Sequence, residues 1–312
     1  MGNTFYFEWE VRLMEWLQGM IGDAGAAVFS VISTLGEEIA LICILGFVYW
    51  CYDKKIGMKI GRNIVTCCVF FPMLKNVFYR RRPYMDHETI QCLKPVEPSA
   101  DIMDITEQGF SFPSGHSANS AVTYGSLARF FHKKWITVLA FVLPLLVGIS
   151  RVALGNHYPT DVLCGWLLGA LVVIFVPMLY ERVRNPAVLY GIFLAVGLLG
   201  CFYCTSNDYY TSLGMMIGFY AGDLFEKKYV NFANTKSVLE TVLRLLGGFI
   251  IYFGLNTLLK LPFPKEVLES ATALQFLIRT LRYAVLLFVE IGLYPLLFAR
   301  VTRLLPSSRS SR

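Results

Sequence analysis

Long apolar segments separated by short charged ones run through most of the chain. Many of them approach the roughly 20 apolar residues that a helix needs to cross a bilayer. The predicted spans are residues 37–52, 56–79, 116–131, 135–150, 161–180, 187–204, 210–225, 237–259 and 271–299. The pattern predicts an all-α, polytopic membrane bundle of about nine transmembrane helices.

The first 36 residues depart from this pattern. The first 20 of them contain four charged side chains among aromatic residues: Glu8, Glu10, Arg12 and Glu15. The segment therefore lacks the basic start and continuous apolar stretch of a secretory signal. We expect residues 1–36 to form an amphipathic helix at the membrane interface and a short re-entrant stretch at 21–35.

Composition narrows the class of protein. Hydrophobic residues make up 55% of the 312 and charged residues only 16%, and the mean hydropathy is +0.54. Soluble domains carry about a quarter charged residues, so an ordinary soluble domain is excluded. The net charge of +6 is modest and predicts no nucleic-acid partner. The eight cysteines lie mostly in apolar stretches and lack zinc-ligand spacing.

The positive charges predict how the spans are oriented. With the N-terminus outside, one face receives Lys54, Lys55, Lys133, Lys134, Arg182, Arg184, Lys227, Lys228, Lys236, Arg300, Arg303, Arg309 and Arg312. The opposite loops, at 84–112, 205–209 and 260–270, carry acidic residues and few bases. Because cytoplasmic loops are enriched in Lys and Arg, the basic face is predicted to be the cytoplasmic side of the cell membrane.

Several chemically useful side chains fall at the other, extracytoplasmic ends of the predicted spans. They are Lys75 and Arg82 at the outer end of the second span, Ser114, Gly115 and His116 at the start of the third, Arg151 at the end of the fourth, and His157 and Asp161 at the start of the fifth. Randomly scattered polar residues would not sort to one face. The distribution therefore predicts one site on that face.

The residue types at this site fit the binding and transfer of an anion. Arginine holds phosphate oxygens bidentately, and a neutral histidine oriented by a carboxylate can act as a nucleophile or base. A Ser-Gly turn at a helix start presents free N–H groups to an anion. Each piece alone also has a plainer explanation: Lys75 snorkelling to headgroups, a simple turn before His116, or Asp161 capping its helix.

Three spaced motifs resemble the signature of the type-2 phosphatidic acid phosphatases. They are Lys75 with Arg82-Pro83, then Pro113-Ser114-Gly115-His116, then Ser150-Arg151 with His157 and Asp161. That family shares a fold core with vanadium haloperoxidases and bacterial class A acid phosphatases. The resemblance covers residues 75–182, with no departure at the signature positions. It implies that 37–185 form a membrane phosphatase core and that 186–312 add helices of unassigned role.

The resemblance also implies a role for each residue. His157 would attack phosphorus, Asp161 would orient it, and His116 would act as general acid and then general base. The phosphate oxygens would be held by Lys75, Arg82, Ser114, Gly115 and Arg151. No cluster of metal-ligand character lies at this face, so we expect no cofactor and a metal-independent reaction.

The expected function is therefore hydrolysis of lipid phosphates or polyprenyl diphosphates at the extracytoplasmic face. Two alternatives stay open: a transferase that passes the phosphoryl or headgroup to an alcohol, and a non-catalytic phosphate-binding transporter or scaffold. The expected partners are a phospholipid or polyprenyl phosphate substrate and the bilayer, and the sequence does not predict an oligomeric state.

Three charges in the last span need a separate explanation, because charges inside a membrane are costly. They are Arg279, Arg282 and Glu290. We expect an internal ion pair with another helix, together with snorkelling, in preference to a contact with a second phosphate.

Overall fold

The computed structural model describes residues 2–298. Within this range the regular elements are helices: α1 Glu8–Ser33, α2 Glu38–Gly46, α3 Lys54–Phe78, α4 Pro83–Asp86, α5 Ile105–Gln108, α6 Gly115–Phe131, α7 Lys134–Ala153, α8 Pro159–Arg182, α9 Pro186–Leu199, α10 Asn207–Phe225, α11 Val238–Leu258, α12 Lys265–Glu269 and α13 Ala273–Phe288. Short π-helical turns extend α2, α10 and α13 at Phe47–Tyr52, Glu226–Val230 and Val289–Leu293. The all-α prediction is confirmed for the described residues.

Each of the nine predicted spans is largely helical over its described residues, but nine crossings are not confirmed. Four stretches among residues 2–298 are long and apolar enough to cross a membrane: Glu8–Gly36, Lys134–Ala153, Pro159–Arg182 and Val238–Leu258. Other helices are shorter or, like α3 with Lys59, Arg62 and Lys75, carry several charges. The number of spans stays a prediction, and the tail arginines Arg300, Arg303, Arg309 and Arg312 lie outside the described residues.

Small residues let α6 and α8 approach each other closely. A methyl group on Gly165 would lie 2.6 Å from the carbonyl oxygen of Ser114, and one on Gly169 would lie 2.7 Å from Ala121. Glycines four residues apart share one helix face, and such faces allow membrane helices to pack backbone to backbone. The start of α6 is thereby fixed against the start of α8.

The C-terminal helices join the rest of the bundle by the same device. Methyl groups on Gly214 and Gly218 of α10 would lie 2.3 Å and 2.2 Å from the carbonyl oxygens of Thr280 and Ala284 in α13. α10 also packs on α3, where Phe219 fills the space beside Gly61. One buried hydrophobic cluster therefore includes residues of both halves, among them Ile60, Cys67, Val122, Val172, Met216 and Phe219.

The N-terminal segment is a single long helix with a kink. Gly22 takes a left-handed conformation, with φ of 51°, inside α1, and α1 packs along α7. Before α1, the amide of Asn3 donates to the carbonyl of Tyr79, and the amide of Arg81 donates to the carbonyl of Asn3. The position of this segment relative to the membrane interface stays a prediction, but the structure ties it to the chain around residue 80.

Candidate active site

The first two predicted cations come from the end of α3 and the chain that follows it. Tyr79, in a left-handed conformation with φ of 52°, ends α3 one turn after Lys75. The chain then runs extended to Arg82, which precedes Pro83 at the first position of α4. Lys75 and Arg82 are 7% and 2% exposed. The Lys75 ammonium makes no hydrogen bond within residues 2–298 and lies 5.9 Å from the ring centre of Phe71.

Arg82 organises the loops around the site. Its Nε and Nη2 donate to the carbonyl of Gln108 at 2.9 and 2.6 Å, and its Nη1 donates to the carbonyl of Asn156 at 3.1 Å. A guanidinium has five N–H groups, so two remain for another acceptor. Because Asn156 precedes His157, Arg82 both supplies charge and fixes the backbone beside that histidine.

The second motif forms the N-terminus of α6. Ser114 is the N-cap, and its hydroxyl oxygen accepts from the amide of Ser117 at 3.4 Å and from the Ser117 hydroxyl at 2.9 Å. The Ser114 hydroxyl proton is left to donate elsewhere. A methyl group on Gly115 would lie 2.9 Å from the Phe71 ring, so a larger residue would be crowded there. His116 follows in the first turn, and its ring makes no hydrogen bond in the described part of the chain.

The third motif brings a carboxylate to the second histidine. The Asp161 Oδ2 accepts from the amide of Tyr158 at 2.8 Å and lies 3.5 Å from the Nδ1 of His157. The backbone amide of Ser114 donates to the carbonyl of Asp161 at 3.0 Å, which joins this motif to the second one. The distance of 3.5 Å exceeds a normal hydrogen bond, and catalytic hydrogen bonds often tighten only when substrate is bound.

Arg151 completes the group of cations. Its Nη1 donates to the Ser33 hydroxyl at 2.8 Å, while its buried Nε has no acceptor in residues 2–298. In that range no carboxylate forms an ion pair with Lys75, Arg82 or Arg151. Burial, followed by the charges of Arg82 and Arg151, lowers the pKa of His157 well below its usual value of 6.5. The imidazole of His157 is therefore kept neutral.

Two residues that the sequence did not single out hold Asp161 in place. The Arg80 Nη1 lies 2.6 Å from the Asp161 Oδ1, and its Nη2 lies 2.9 Å from the Glu10 Oε2. The Glu10 Oε1 in turn accepts from the amide and the hydroxyl of Thr160, at 3.0 and 2.6 Å. The Arg80 guanidinium stacks 3.9 Å from the ring centre of Tyr158. All three charged groups of this network are nearly inaccessible.

The sequence contains only weak signals for the network of Glu10, Arg80 and Asp161. Arg80 belongs to a run of three arginines at a helix end, a pattern that usually anchors a helix at the interface. Glu10 is one of several acidic residues in the N-terminal segment. Only the pairing of these two side chains, 70 residues apart, distinguishes them from their neighbours.

The ion pair expected for the last span is wrong for the described residues. Neither Arg279 nor Arg282 forms an ion pair, and both carboxylate oxygens of Glu290 are buried without a partner. Glu290 lies eight residues after Arg282, about 12 Å along the helix axis at 1.5 Å per residue. Arg279 and Arg282 therefore have no carboxylate partner in the part of the chain that the structure describes.

Metal ligands are a separate question. No group of three or more His, Cys, Asp or Glu side chains that could hold a metal ion occurs between residues 2 and 298. All eight cysteines are free. Metal independence stays a prediction, which turnover in the presence of EDTA would test.

Comparison with known proteins adds family evidence. Residues 56–185 match the family described as PAP2 superfamily, and residues 210–307 match the PAP2 superfamily phosphatase, transmembrane extension. The chain is 44% identical to phosphatidylglycerophosphatase B of Bacillus subtilis over 90 residues, 26% of this chain and 44% of that protein. It is 31% identical to undecaprenyl-diphosphatase of Sulfolobus acidocaldarius over 118 residues, 38% of this chain and 52% of that protein.

A longer match is with lipid A 1-phosphatase of Rhizobium etli, 33% identical over 165 residues, 47% of this chain and 68% of that protein. The first two matches thus span about half the length of those relatives. The crystal structure of a transmembrane PAP2 type phosphatidylglycerolphosphate phosphatase from Bacillus subtilis is 28% identical, with a TM-score of 0.44, and covers 57% of this chain and 87% of that one.

Replacing Arg80 by Met should destabilise the protein strongly. The change leaves Glu10 and Asp161 buried without their cation, and breaking a buried ion pair typically costs about 3–5 kcal/mol. Arg81→Met is the matched control, because the Arg81 side chain is 31% exposed. Its ion pair with Asp86, at 3.2 Å, should contribute at most about 1 kcal/mol to stability. Thermal unfolding of both variants in detergent measures the difference, and equal stability would contradict the role assigned to Arg80.

Replacing Arg151 by Gln should shift the acid limb of the pH profile upward. The nearby positive charge opposes protonation of His157, so its removal raises the pKa of that imidazole. In the wild type, loss of the neutral imidazole should begin only well below pH 6.5. The variant should lose activity at a higher pH. The measurement is kcat/KM against pH with one phosphate ester, so that titration of the substrate is common to both proteins. An unmoved or lowered acid limb would exclude this coupling.

Proposed function

The chain belongs to the PAP2 superfamily, and we propose that it is an integral membrane phosphatase that hydrolyses lipid phosphates or polyprenyl diphosphates through a phosphohistidine on His157. One observation carries the proposal. Three buried cations, Lys75, Arg82 and Arg151, act together on His157 without a carboxylate ion partner among residues 2–298. Buried charge of one sign is costly, and a phosphate anion between these side chains would compensate it.

In the proposed first step, the Nε2 of His157 attacks phosphorus. Asp161 lies on the Nδ1 side of the ring, so it favours the tautomer that carries its proton on Nδ1 and leaves Nε2 free. The N–P bond forms while the bond from phosphorus to the leaving oxygen breaks. The bound phosphate anion offsets the surrounding positive charge and favours the protonated form of His116, which gives its proton to that oxygen.

In the second step, the now neutral His116 takes a proton from water. The resulting hydroxide attacks the phosphohistidine, the N–P bond breaks, and phosphate is released with His157 and His116 back in their starting states. Both steps need two histidines and an orienting carboxylate. A site that only binds phosphate would need neither, which favours an enzyme over a transporter or scaffold.

The remaining groups would stabilise the charge that develops on the phosphoryl oxygens. Two free N–H groups of Arg82, the unpartnered Nε of Arg151 and the Lys75 ammonium are available as donors. The Ser114 hydroxyl and the Gly115 amide at the start of α6 add to them. Donors fixed in advance in a water-poor site are worth far more than the same donors in water.

A lipid is the favoured class of substrate. Lys75 lies in the last turn of α3 and Arg151 in the last turn of α7, while His116 and Asp161 lie in the first turns of α6 and α8. The site thus lies at helix ends, where lipid headgroups lie in a membrane. The names of the three relatives described above each denote a phosphate carried by a lipid. The distribution of Lys and Arg favours the extracytoplasmic leaflet of the cell membrane.

Substrates with different leaving groups separate the roles of the two histidines. His157→Ala should abolish the phosphoenzyme and nearly all turnover with any ester, because the nucleophile is lost. His116→Ala should slow formation of the phosphoenzyme from alkyl phosphates by about 100- to 10,000-fold, the usual contribution of general acid catalysis. It should slow the same step with aryl phosphates much less, because a phenolate leaves without protonation, whereas hydrolysis of the phosphoenzyme should slow equally for both esters. Equal losses in the rate of phosphoenzyme formation would rule His116 out as the acid, and a phosphoenzyme in His157→Ala would refute the nucleophile.

The side of the membrane can be tested by cysteine labelling. In a background with the exposed Cys201 replaced by Ser, Ser99→Cys in the loop before α5 should react with an impermeant thiol reagent added to intact cells. Lys134→Cys, at the start of α7, should react only after lysis. Both residues are exposed, so accessibility within the protein is matched. The reverse labelling pattern would put the site on the cytoplasmic face.

A further inference from the structure

A second group of cations lies in the C-terminal helices. Arg279 and Arg282 are three residues apart on α13 and therefore share one face. The Arg282 Nη2 donates to the side-chain oxygen of Asn256 in α11 at 3.0 Å, and Lys260 follows Asn256 by four residues. The pKa of Lys260 is lowered by partial burial and then by the nearby Arg282 and Arg279. These three cations thus converge where the ends of α11 and α13 meet.

Within residues 2–298, the hydrogen-bond partners of this second group of cations are all neutral. Arg282 contacts an amide oxygen, and the Arg279 Nη1 lies 3.4 Å from the Thr211 hydroxyl. The Nε atoms of both arginines are buried without an acceptor in the described range. Arg282 is only 7% exposed. A buried donor without an acceptor is costly, and more so when it is charged. The arrangement is therefore incomplete unless an anion binds.

The cluster is close to the candidate active site and on the same side of the bundle. Asn76, next to Lys75, donates to the Ser206 hydroxyl at 2.8 Å and accepts from the amide of Thr205 at 3.0 Å. Thr211, the partner of Arg279, follows Ser206 by five residues, about 7.5 Å along α10. Arg279 and Arg282 come from α13 and Lys260 from the chain just after α11, whereas Lys75, Arg82 and Arg151 come from α3, the start of α4 and α7. An anion held by the first set is therefore a group separate from the phosphate at His157.

We propose that Lys260, Arg279 and Arg282 form a second anion site, which binds a lipid headgroup phosphate other than the one that is hydrolysed. Guanidinium groups bind phosphate oxygens bidentately, and the free Nε atoms supply donors for this geometry. The phosphate belongs either to the substrate itself or to a neighbouring bilayer lipid. The kinetic part of the test rests on the proposed function, and the binding part does not.

The test compares the full chain with the double variant Lys260→Gln/Arg279→Gln in detergent micelles. Lys260 and Arg279 are more accessible than Arg282, so replacing them should disturb folding less than replacing Arg282. Thermal unfolding checks that the double variant is folded. If the double variant unfolds, Lys260→Gln alone replaces it. Lys265→Gln is the matched control, because it removes one nearby positive charge from a side chain that is 80% exposed and paired with Glu269.

The binding measurement is native mass spectrometry with equal amounts of phosphatidylglycerol and phosphatidylcholine. The kinetic measurement is KM for phosphatidate, with one phosphate, against phosphatidylglycerophosphate, with two. We expect the wild type and the control to retain phosphatidylglycerol in preference to phosphatidylcholine. The double variant should lose this preference. A rise of about tenfold or more in the ratio of the KM for phosphatidylglycerophosphate to that for phosphatidate assigns the site to the substrate's own second phosphate.

Loss of the lipid preference with an unchanged KM ratio instead assigns the site to a neighbouring anionic lipid, and it too supports the site. A double variant that keeps both the lipid preference and the KM ratio of the wild type overturns the proposal. A wild type that hydrolyses neither these two lipids nor a polyprenyl diphosphate refutes the proposed function, while the lipid preference still decides the second site.

Discussion

The candidate site depends on keeping Asp161 charged and aligned in a nearly inaccessible position. Arg80 does this by contacting Asp161 on one side and Glu10 on the other, at 2.6 and 2.9 Å. Without that cation the two carboxylates would face each other uncompensated, and the imidazole of His157 would lose its orienting partner. Lys75, Arg82 and Arg151, which lie near His157, have no carboxylate ion partner among residues 2–298. Arg80 compensates the buried carboxylates within the protein, whereas the three cations would be compensated by the phosphate anion proposed above.

Close helix packing turns this electrostatic arrangement into a defined geometry. Gly165 brings α8 against the backbone at Ser114, so the helix that carries Asp161 and the helix that carries His116 start at the same place. Gly214 and Gly218 press α10 onto α13 in the same way, and α10 reaches back to Asn76 beside Lys75. The C-terminal helices are therefore in a position to influence what binds near Lys75.

Much of this could be predicted from the sequence, for reasons that apply to particular residues. The helices follow from long apolar runs, and the residues of the three motifs lie at helix ends because of where those runs stop. Arg80 and Glu10 could not be found, since a contact across 70 residues leaves no local pattern. The ion pair with another helix expected for Arg279 and Arg282 is absent from residues 2–298, because the groups opposite them, Thr211 and Asn256, are neutral. Local spacing predicts which groups share a face, but not which helix lies opposite.

The contact between Glu10 and Arg80 also has a consequence for the order in which the chain is made. Synthesis proceeds from the N-terminus, so Glu10 is already available when Arg80 enters the membrane, and Asp161 follows 81 residues later. The arginine can be neutralised by the first helix as soon as α3 is in place. When α8 is added, Asp161 meets a cation that is already held, so neither Arg80 nor Asp161 has to wait for a later segment to supply its partner.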